Sequence, residues 1–156
     1  MSAPAGCNGL SLVISIRLAD APDLGAILAL NGPPPPDEAK ATKVAKWISA
    51  GQCHLAEVDN RIVGYGVLTE NFFGSGFVEA LMVARNHRRQ TIGTAIMRHF
   101  AATCLTPKLW TSTNLSNLPM QNLLAREGFV LSGVVDNIDP GDPELFYLKR
   151  RDLPVP

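Results

Sequence analysis

The chain lacks a net charge: 14 lysines and arginines stand against 14 aspartates and glutamates, and the pI is about 6.8. Without a general positive field there is no electrostatic basis for non-specific nucleic-acid binding, so basic residues matter only where they cluster. Cysteine is scarce. Cys7, Cys53 and Cys104 lie far apart, with no C-x-x-C and no neighbouring histidine pair. That spacing gives a disulfide framework or a metal site little support, leaving free thiols in a reducing compartment as the expectation. The first residues, MSAPAGCNGL, contain no basic residue and no long apolar core, and no apolar run approaches the roughly 18 residues of a membrane span. Neither a secretory leader nor membrane insertion is expected, and the expected location is cytoplasmic. Internal repeats are absent, and Pro33 to Pro36 is the only low-complexity run. Two phosphate-binding signatures are missing too: no G-x-x-x-x-G-K-S/T and no G-x-G-x-x-G.

What is present suits one compact unit. With 156 residues, 46% of them hydrophobic, the chain has the length and apolar content of a single domain with its own core. Residues 1–10 are expected to be a disordered lead, 11–150 the domain and 151–156 a tail. Leu12 to Leu18 is rich in β-branched residues and predicts a first strand. Asp20-Ala21-Pro22-Asp23 is a helix start, with Leu24, Ile27 and Leu28 forming the buried face. Gly32 and the prolines end that helix in a polyproline II connector. A second helix begins at Asp37 and buries Ala41, Val44, Trp47 and Ile48. Strands follow at His54 to Val58 and Ile62 to Thr69 around an Asp59-Asn60 turn. Asn71 to Gly76 is the next connection and Phe77 to Val83 the next strand, which makes an antiparallel meander.

The stretch Val83 to Ala95, VARNHRRQTIGTA, organises the rest. It leads from the strand Phe77 to Val83 through a basic loop into a helix, Ile92 to Cys104, whose stripe is Ala95, Ile96, His99, Phe100 and Thr103. The first N–H groups of a helix have no intrahelical partner and the peptide dipoles point positive there, so a phosphate is favoured. Arg88, Arg89 and Arg85 add charge, and Gly93 removes a side chain where a ligand approaches. His99 is expected to be packed rather than catalytic. Lys108 to Ser112 should be a strand parallel to Phe77 to Val83, because a helix crosses between them.

Downstream, NLPMQNLLAREGF (Asn117 to Phe129) has an N-cap at Asn117, Pro119 in the first turn, Met120, Leu123 and Leu124 towards the core, and Gly128 as a left-handed stop. Phe129 to Asp136 and Glu144 to Lys149 predict the last two strands, joined by a loop at Asn137 to Pro143.

The basic turn resembles the acetyl-CoA loop of the GCN5-related N-acetyltransferases (GNAT), in which a strand ending in Val leads through Arg/Gln-x-x-Gly-x-Gly/Ala into a helix. Two alignments fit. Arg88-Arg89-Gln90-Thr91-Ile92-Gly93 needs Thr91 in place of the first glycine, whereas Gln90-Thr91-Ile92-Gly93-Thr94-Ala95 needs no substitution but shifts by two residues. The first is preferred, since it keeps the usual distance from Val83. A β-branched residue tolerates positive φ badly, so Thr91 is expected to have an ordinary backbone. The second segment is similar to the family's Asn-x-x-Ala-x-x-x-Tyr-x-x-x-Gly-Phe, with Met120 at the Ala position and Leu124 at the Tyr position. Together the matches extend from Ile16 to Lys149.

The resemblance implies an α/β (α+β) fold with a mixed, mostly antiparallel central sheet of about six to seven strands flanked by about four helices. It implies acetyl-CoA as co-substrate and no metal. Met82 and Val83 would hold the pantetheine and thioester through main-chain atoms. Arg88, Arg89, Gln90, Thr91, Ile92, Gly93 and Thr94 would form the phosphate site. Asn117 would bond the pantetheine arm, or simply cap its helix. In many members the tyrosine is the acid that protonates the departing thiolate, and Leu124 has no proton to give. Glu79 is the candidate general base; the alternative is a carboxylate that faces solvent or pairs structurally with an arginine. The expected partner is a small-molecule or peptide amine, with no nucleic acid, no membrane and a homodimer left open. Phe72, Phe73 and Tyr147 are candidate walls for this acceptor, and Asp136, Asp139, Asp142 and Glu144 candidate attractors of its charge. Two competing classes are a non-catalytic acyl-CoA-binding or regulatory module and a nucleotide or nucleic-acid binder.

Overall fold

A computed structural model describes residues 11–33, 37–89 and 91–151. The expectations for the lead at 1–10, for Pro34 to Pro36, for Gln90 and for the tail beyond Arg151 lie outside the described residues.

The chain folds as β1 (Ser15–Leu18), α1 (Leu24–Leu28), α2 (Glu38–Ser49), β2 (Cys53–Val58), β3 (Arg61–Phe72), β4 (Ser75–Val83), α3 (Ile92–Thr103), β5 (Lys108–Asn114), α4 (Leu118–Arg126), β6 (Val130–Asp139) and β7 (Asp142–Arg150). The strands form one seven-stranded sheet in the order β1-β2-β3-β4-β5-β7-β6. Neighbours are antiparallel except β4 and β5, which run parallel across the α3 crossover. The sheet is mixed and mostly antiparallel, and four α-helices flank it among the described residues.

Each sheet face has its own core. On one face α3 and α4 bury Ile92, Ile96, Met97, Phe100 and Leu124 against Ala56, Val63, Val78, Leu109, Leu145 and Tyr147. On the other, α1 and α2 bury Ile27, Val44 and Ile48 against Leu55, Tyr65 and Val67. The first face depends on a glycine: a Cβ on Gly66 would stand 2.6 Å from the Phe100 ring and 2.7 Å from Ile96. Its absence lets α3 lie directly on β3. The second face depends on a cap, since the Asp37 carboxylate accepts the Lys40 N–H at 2.9 Å.

Several strands run longer or shorter than expected. β1 starts at Ser15, not Leu12. The connection expected at Asn71 to Gly76 is only Phe73-Gly74, whose φ values of 52° and 73° are those of a primed hairpin turn. Similarly, the expected loop Asn137 to Pro143 is mostly strand: Asp139 pairs with Asp142 around Pro140-Gly141. Proline followed by a glycine at φ 79° is the chemistry of a type II turn. In α3 Thr103 is exposed and Met97 takes its place in the buried stripe. His99 is packed, with Nε2 3.0 Å from His54 Nδ1. Cys53 and Cys104 are free and buried, and burial pushes the Cys53 thiol up to about 11.

Candidate active site

The parallel strands β4 and β5 separate. They pair only at Gly76 with Leu109, Phe77 with Trp110 and Val78 with Thr111. Beyond this, β4 stays with β3 as far as Val83, while β5 stays with β7 as far as Asn114. The cause lies in β4. Val67 pairs with Ala80 but Leu68 pairs with Val78, so Glu79 is an extra residue in a β-bulge, and a bulge bends its strand. The Thr111 hydroxyl donates to the Val78 carbonyl at 3.0 Å and closes the apex. The result is a wedge whose β4 side, Glu79 to Val83, turns main-chain edge groups toward the opening.

The basic turn closes the wide end of this wedge. Ala84 is buried and donates its N–H to Val63 at 2.8 Å, and the Asn31 side chain accepts the Arg85 N–H at 2.9 Å. The end of α1 is thereby fixed to the start of the loop. Arg88 Nε donates to the Val83 carbonyl at 3.4 Å, which places this guanidinium at the end of β4. The first α3 bond runs from Ala95 N to Thr91 O, so the N–H groups of Ile92, Gly93 and Thr94 precede the intrahelical ladder.

One expectation about this loop is corrected. Thr91 has φ 68° and ψ 7°, a left-handed conformation instead of an ordinary one. Entry into α3 demands the glycine geometry whatever residue stands there, and Arg89 at φ 63° is left-handed as well. A β-branched residue held so stores about 1 to 3 kcal/mol of strain. Gly93, in turn, is small for packing: a Cβ there would point at Leu123 Cδ1, 3.1 Å away, with Leu81 and Val83 at 3.8 Å. Its missing side chain makes room for α4.

The remaining candidates separate clearly. Glu79 is exposed, and its carboxylate accepts the hydroxyl of buried Thr69 at 3.0 Å. No ion pair with an arginine holds it among the described residues. Met82 packs on the α1/α2 face, beside a cleft of about 260 Å³ lined by Tyr65, Asn31, Lys40 and Arg85. Leu124 is fully buried in the α3/α4 core. Asn117 accepts the Met120 N–H at 3.2 Å and so caps α4. Asp142 is occupied by Ser116, and Asp139 by Asn114 at 2.8 Å. Tyr147 is buried against the α3/α4 core. Phe72 and Phe73 instead join Phe77, Trp110 and Phe146. Thr69, Asn31, Trp110 and Phe146 had no signal in the sequence, because their roles depend on strand register and order. Among the described residues no group of three or more His, Cys, Asp or Glu is placed to hold a metal ion.

The family model described as "Acetyltransferase (GNAT) family" matches residues 23–129, a span that contains the bulge, the wedge, the basic turn and α4. The chain belongs to the GNAT acetyltransferase family. Among solved structures, a GNAT-family acetyltransferase from Bacillus cereus is 27% identical with a TM-score of 0.81, over 90% of this chain and 99% of that one. The GNAT fold also recurs in yncA from Salmonella typhimurium, determined with its cofactor acetyl-CoA, at 16% identity and a TM-score of 0.70, covering 89% and 94% of the two chains. The ribosomal-protein-S18-alanine N-acetyltransferase from Escherichia coli has a TM-score of 0.69 at 14% identity, covering 92% and 97%. No curated protein matches this GNAT chain.

Proposed function

We propose that the chain transfers the acetyl group of acetyl-CoA to an amine by direct attack, in a complex holding both substrates. The observation that carries this reading is the wedge: strands that separate just after Val78 and Thr111, with a carboxylate on the bulge that separates them. An extended pantetheine can take main-chain hydrogen bonds from Met82 and Val83, as an added strand would. The diphosphate then meets the N–H groups of Ile92, Gly93 and Thr94 at the α3 terminus, with Arg88 and Arg89 beside them. Thr91 completes the turn at the helix entry, and Gln90 belongs to the same proposed phosphate site. Asn117 contributes by orienting α4, since its side chain is engaged as a cap.

The chemistry follows from this placement. An ammonium has no lone pair to donate, so the acceptor must first lose a proton, and Glu79 is the carboxylate beside the wedge able to take it. The neutral nitrogen attacks the thioester carbonyl carbon. A C–N bond forms, the C–S bond breaks, sulfur leaves with the bonding pair as the CoA thiolate, and the proton that the new amide nitrogen sheds goes to water or to that thiolate. A main-chain N–H on the open edge of β4 stabilises the intermediate oxyanion. Leu124 supplies no acid, and a thiol whose ordinary pKa is about 8.5 leaves as an anion or takes its proton from water. In this reading the acceptor is a small-molecule or peptide amine and the reaction is cytoplasmic.

Leu124 also supports a second reading, a domain that binds acyl-CoA without turnover. Thiol release from acetyl-CoA across a broad panel of amines tests the first reading against it. Amine-dependent release establishes the enzyme, whereas tight acetyl-CoA binding without release by any amine establishes the binding module.

A further inference from the structure

Among the described residues, the α1/α2 face of the sheet is covered over β2 and β3 and bare over β5 and β7, and the bare part is aromatic. The Phe72 ring stacks on Phe77 at 5.0 Å and on Phe146 at 5.7 Å, with Trp110 at 5.2 Å. Phe73 stands edge-on to Phe72 and is 95% exposed. Four strands contribute, and none of the rings is fully buried. Aromatic rings left half in water on a sheet face have apolar surface to offer a ligand.

Register places this cluster in relation to the wedge. Phe77 and Trp110 are partners one rung below the last β4–β5 pair, so the rings floor the apex. Glu79 follows Phe77 along β4, and its Thr69 partner is also 3.5 Å from the Phe77 carbonyl, which fixes the carboxylate just above the floor. On the far flank, Leu145 is buried on the α3/α4 side, so Glu144 and Phe146 project to the aromatic face by alternation. Register thus puts Glu79 on the β4 side of the opening and Glu144, on β7 beyond β5, on the same face as the aromatic floor.

We infer that the acceptor is a cationic amine carried next to an aromatic or bulky apolar body, with the body on Phe77, Trp110, Phe146, Phe72 and Phe73 and the amine between Glu79 and Glu144. This rests on the acetyltransferase reading and names its substrate class. The two carboxylates suit the ammonium form in which such an amine arrives, and the floor suits its body. A small hydrophilic amine would leave the rings wet and gain nothing from them.

The test compares kcat/KM for matched amines at saturating acetyl-CoA: 2-phenylethylamine against ethanolamine, and L-phenylalaninamide against L-serinamide. The aromatic member of each pair is expected to be used at least about 10-fold better, the scale on which apolar pockets discriminate. Trp110→Ala should cut that advantage mainly through KM, lowering kcat/KM for the aromatic amines more than for ethanolamine, with acetyl-CoA affinity retained. Should Trp110→Ala fail to fold, Phe73→Asn serves, because asparagine suits the φ of 52° at this exposed turn. Its aromatic advantage should fall while its melting temperature holds. Equal or better use of the polar amines overturns the inference, as does an equal loss for both classes in the variants. An enzyme that binds acetyl-CoA but turns over neither aromatic amine also overturns it. Failure of the folded protein to bind acetyl-CoA overturns the acetyltransferase reading itself, and the inference with it.

Discussion

The Thr69 hydroxyl holds the Glu79 carboxylate at 3.0 Å on the bulge that opens the wedge. Strand distortion and candidate base therefore share one residue. The bulge takes Glu79 out of the regular pairing, and buried Thr69 limits where its side chain can go.

If Glu79 takes the proton, Glu79→Gln should lower turnover by roughly 100-fold or more near neutral pH with acetyl-CoA affinity intact. Glutamine keeps an acceptor for Thr69, so the fold is preserved. The deficit should shrink as pH rises, because more of the acceptor is then already neutral. Rate profiles over about pH 6 to 9 check this. Wild-type turnover by the variant across that range would remove Glu79 as the base.

Thr91 offers a test in which stability and binding point different ways. Thr91→Gly relieves the strain at φ 68° and should keep acetyl-CoA affinity while matching or raising stability by about 1 kcal/mol. Thr91→Pro cannot adopt that φ and deletes the N–H, so it should weaken both. Titration calorimetry and urea midpoints give the two readouts. A Pro variant that binds acetyl-CoA as the parent does would show that the turn is no ligand site.

At the two glycines facing helices, outcomes should differ in degree. Gly66→Ala drives a Cβ into the ring of Phe100, which is buried and has nowhere to move, and should destabilise by about 1 to 3 kcal/mol. Gly93→Ala meets only Leu123 Cδ1 at 3.1 Å, the far end of a half-buried side chain, and should cost less. Gly93→Glu should lose acetyl-CoA affinity chiefly by displacing α4. Unfolding midpoints order the three, and a neutral Gly66→Ala would contradict the α3 packing.

The His54–His99 contact makes stability depend on pH. Burial, and secondarily the neighbouring His99, lowers the His54 pKa from 6.5 to about 4, and burial lowers that of His99. Between these values the unfolded chain binds protons that the folded one does not. Stability is therefore full above about pH 6.5 and is lost as pH falls toward about 4, by an amount on the order of 1 to 2 kcal/mol. Urea midpoints at pH 7.5 and 4.5 check the sign, and His54→Asn should flatten the difference. A midpoint that rises on acidification would contradict the buried neutral pair.

Much of this was legible in the residues. Apolar spacing found α2, α3 and α4, and the α3 crossover placed β5 parallel to β4. Turn chemistry misled at Asn71 to Gly76: asparagine and glycine suggested a loop, while the actual turn puts Phe73 in a conformation that bulky residues rarely take. Thr91 escaped because its φ is imposed by the helix entry and not by its own preference. The Thr69–Glu79 contact requires the bulged register of β3 with β4, and the aromatic floor requires β7 to lie between β5 and β6. Spacing within a single strand shows neither.

The most direct measurement is acetyl transfer itself: purified protein, acetyl-CoA and an amine panel, with free thiol followed over time and the acetylated product identified by mass. The wedge, the α3 terminus and Glu79 predict thiol release that needs both substrates, gives one acetylated amine per CoA and falls steeply in Glu79→Gln. Folded protein that releases no thiol above background with any amine would contradict the proposed transfer.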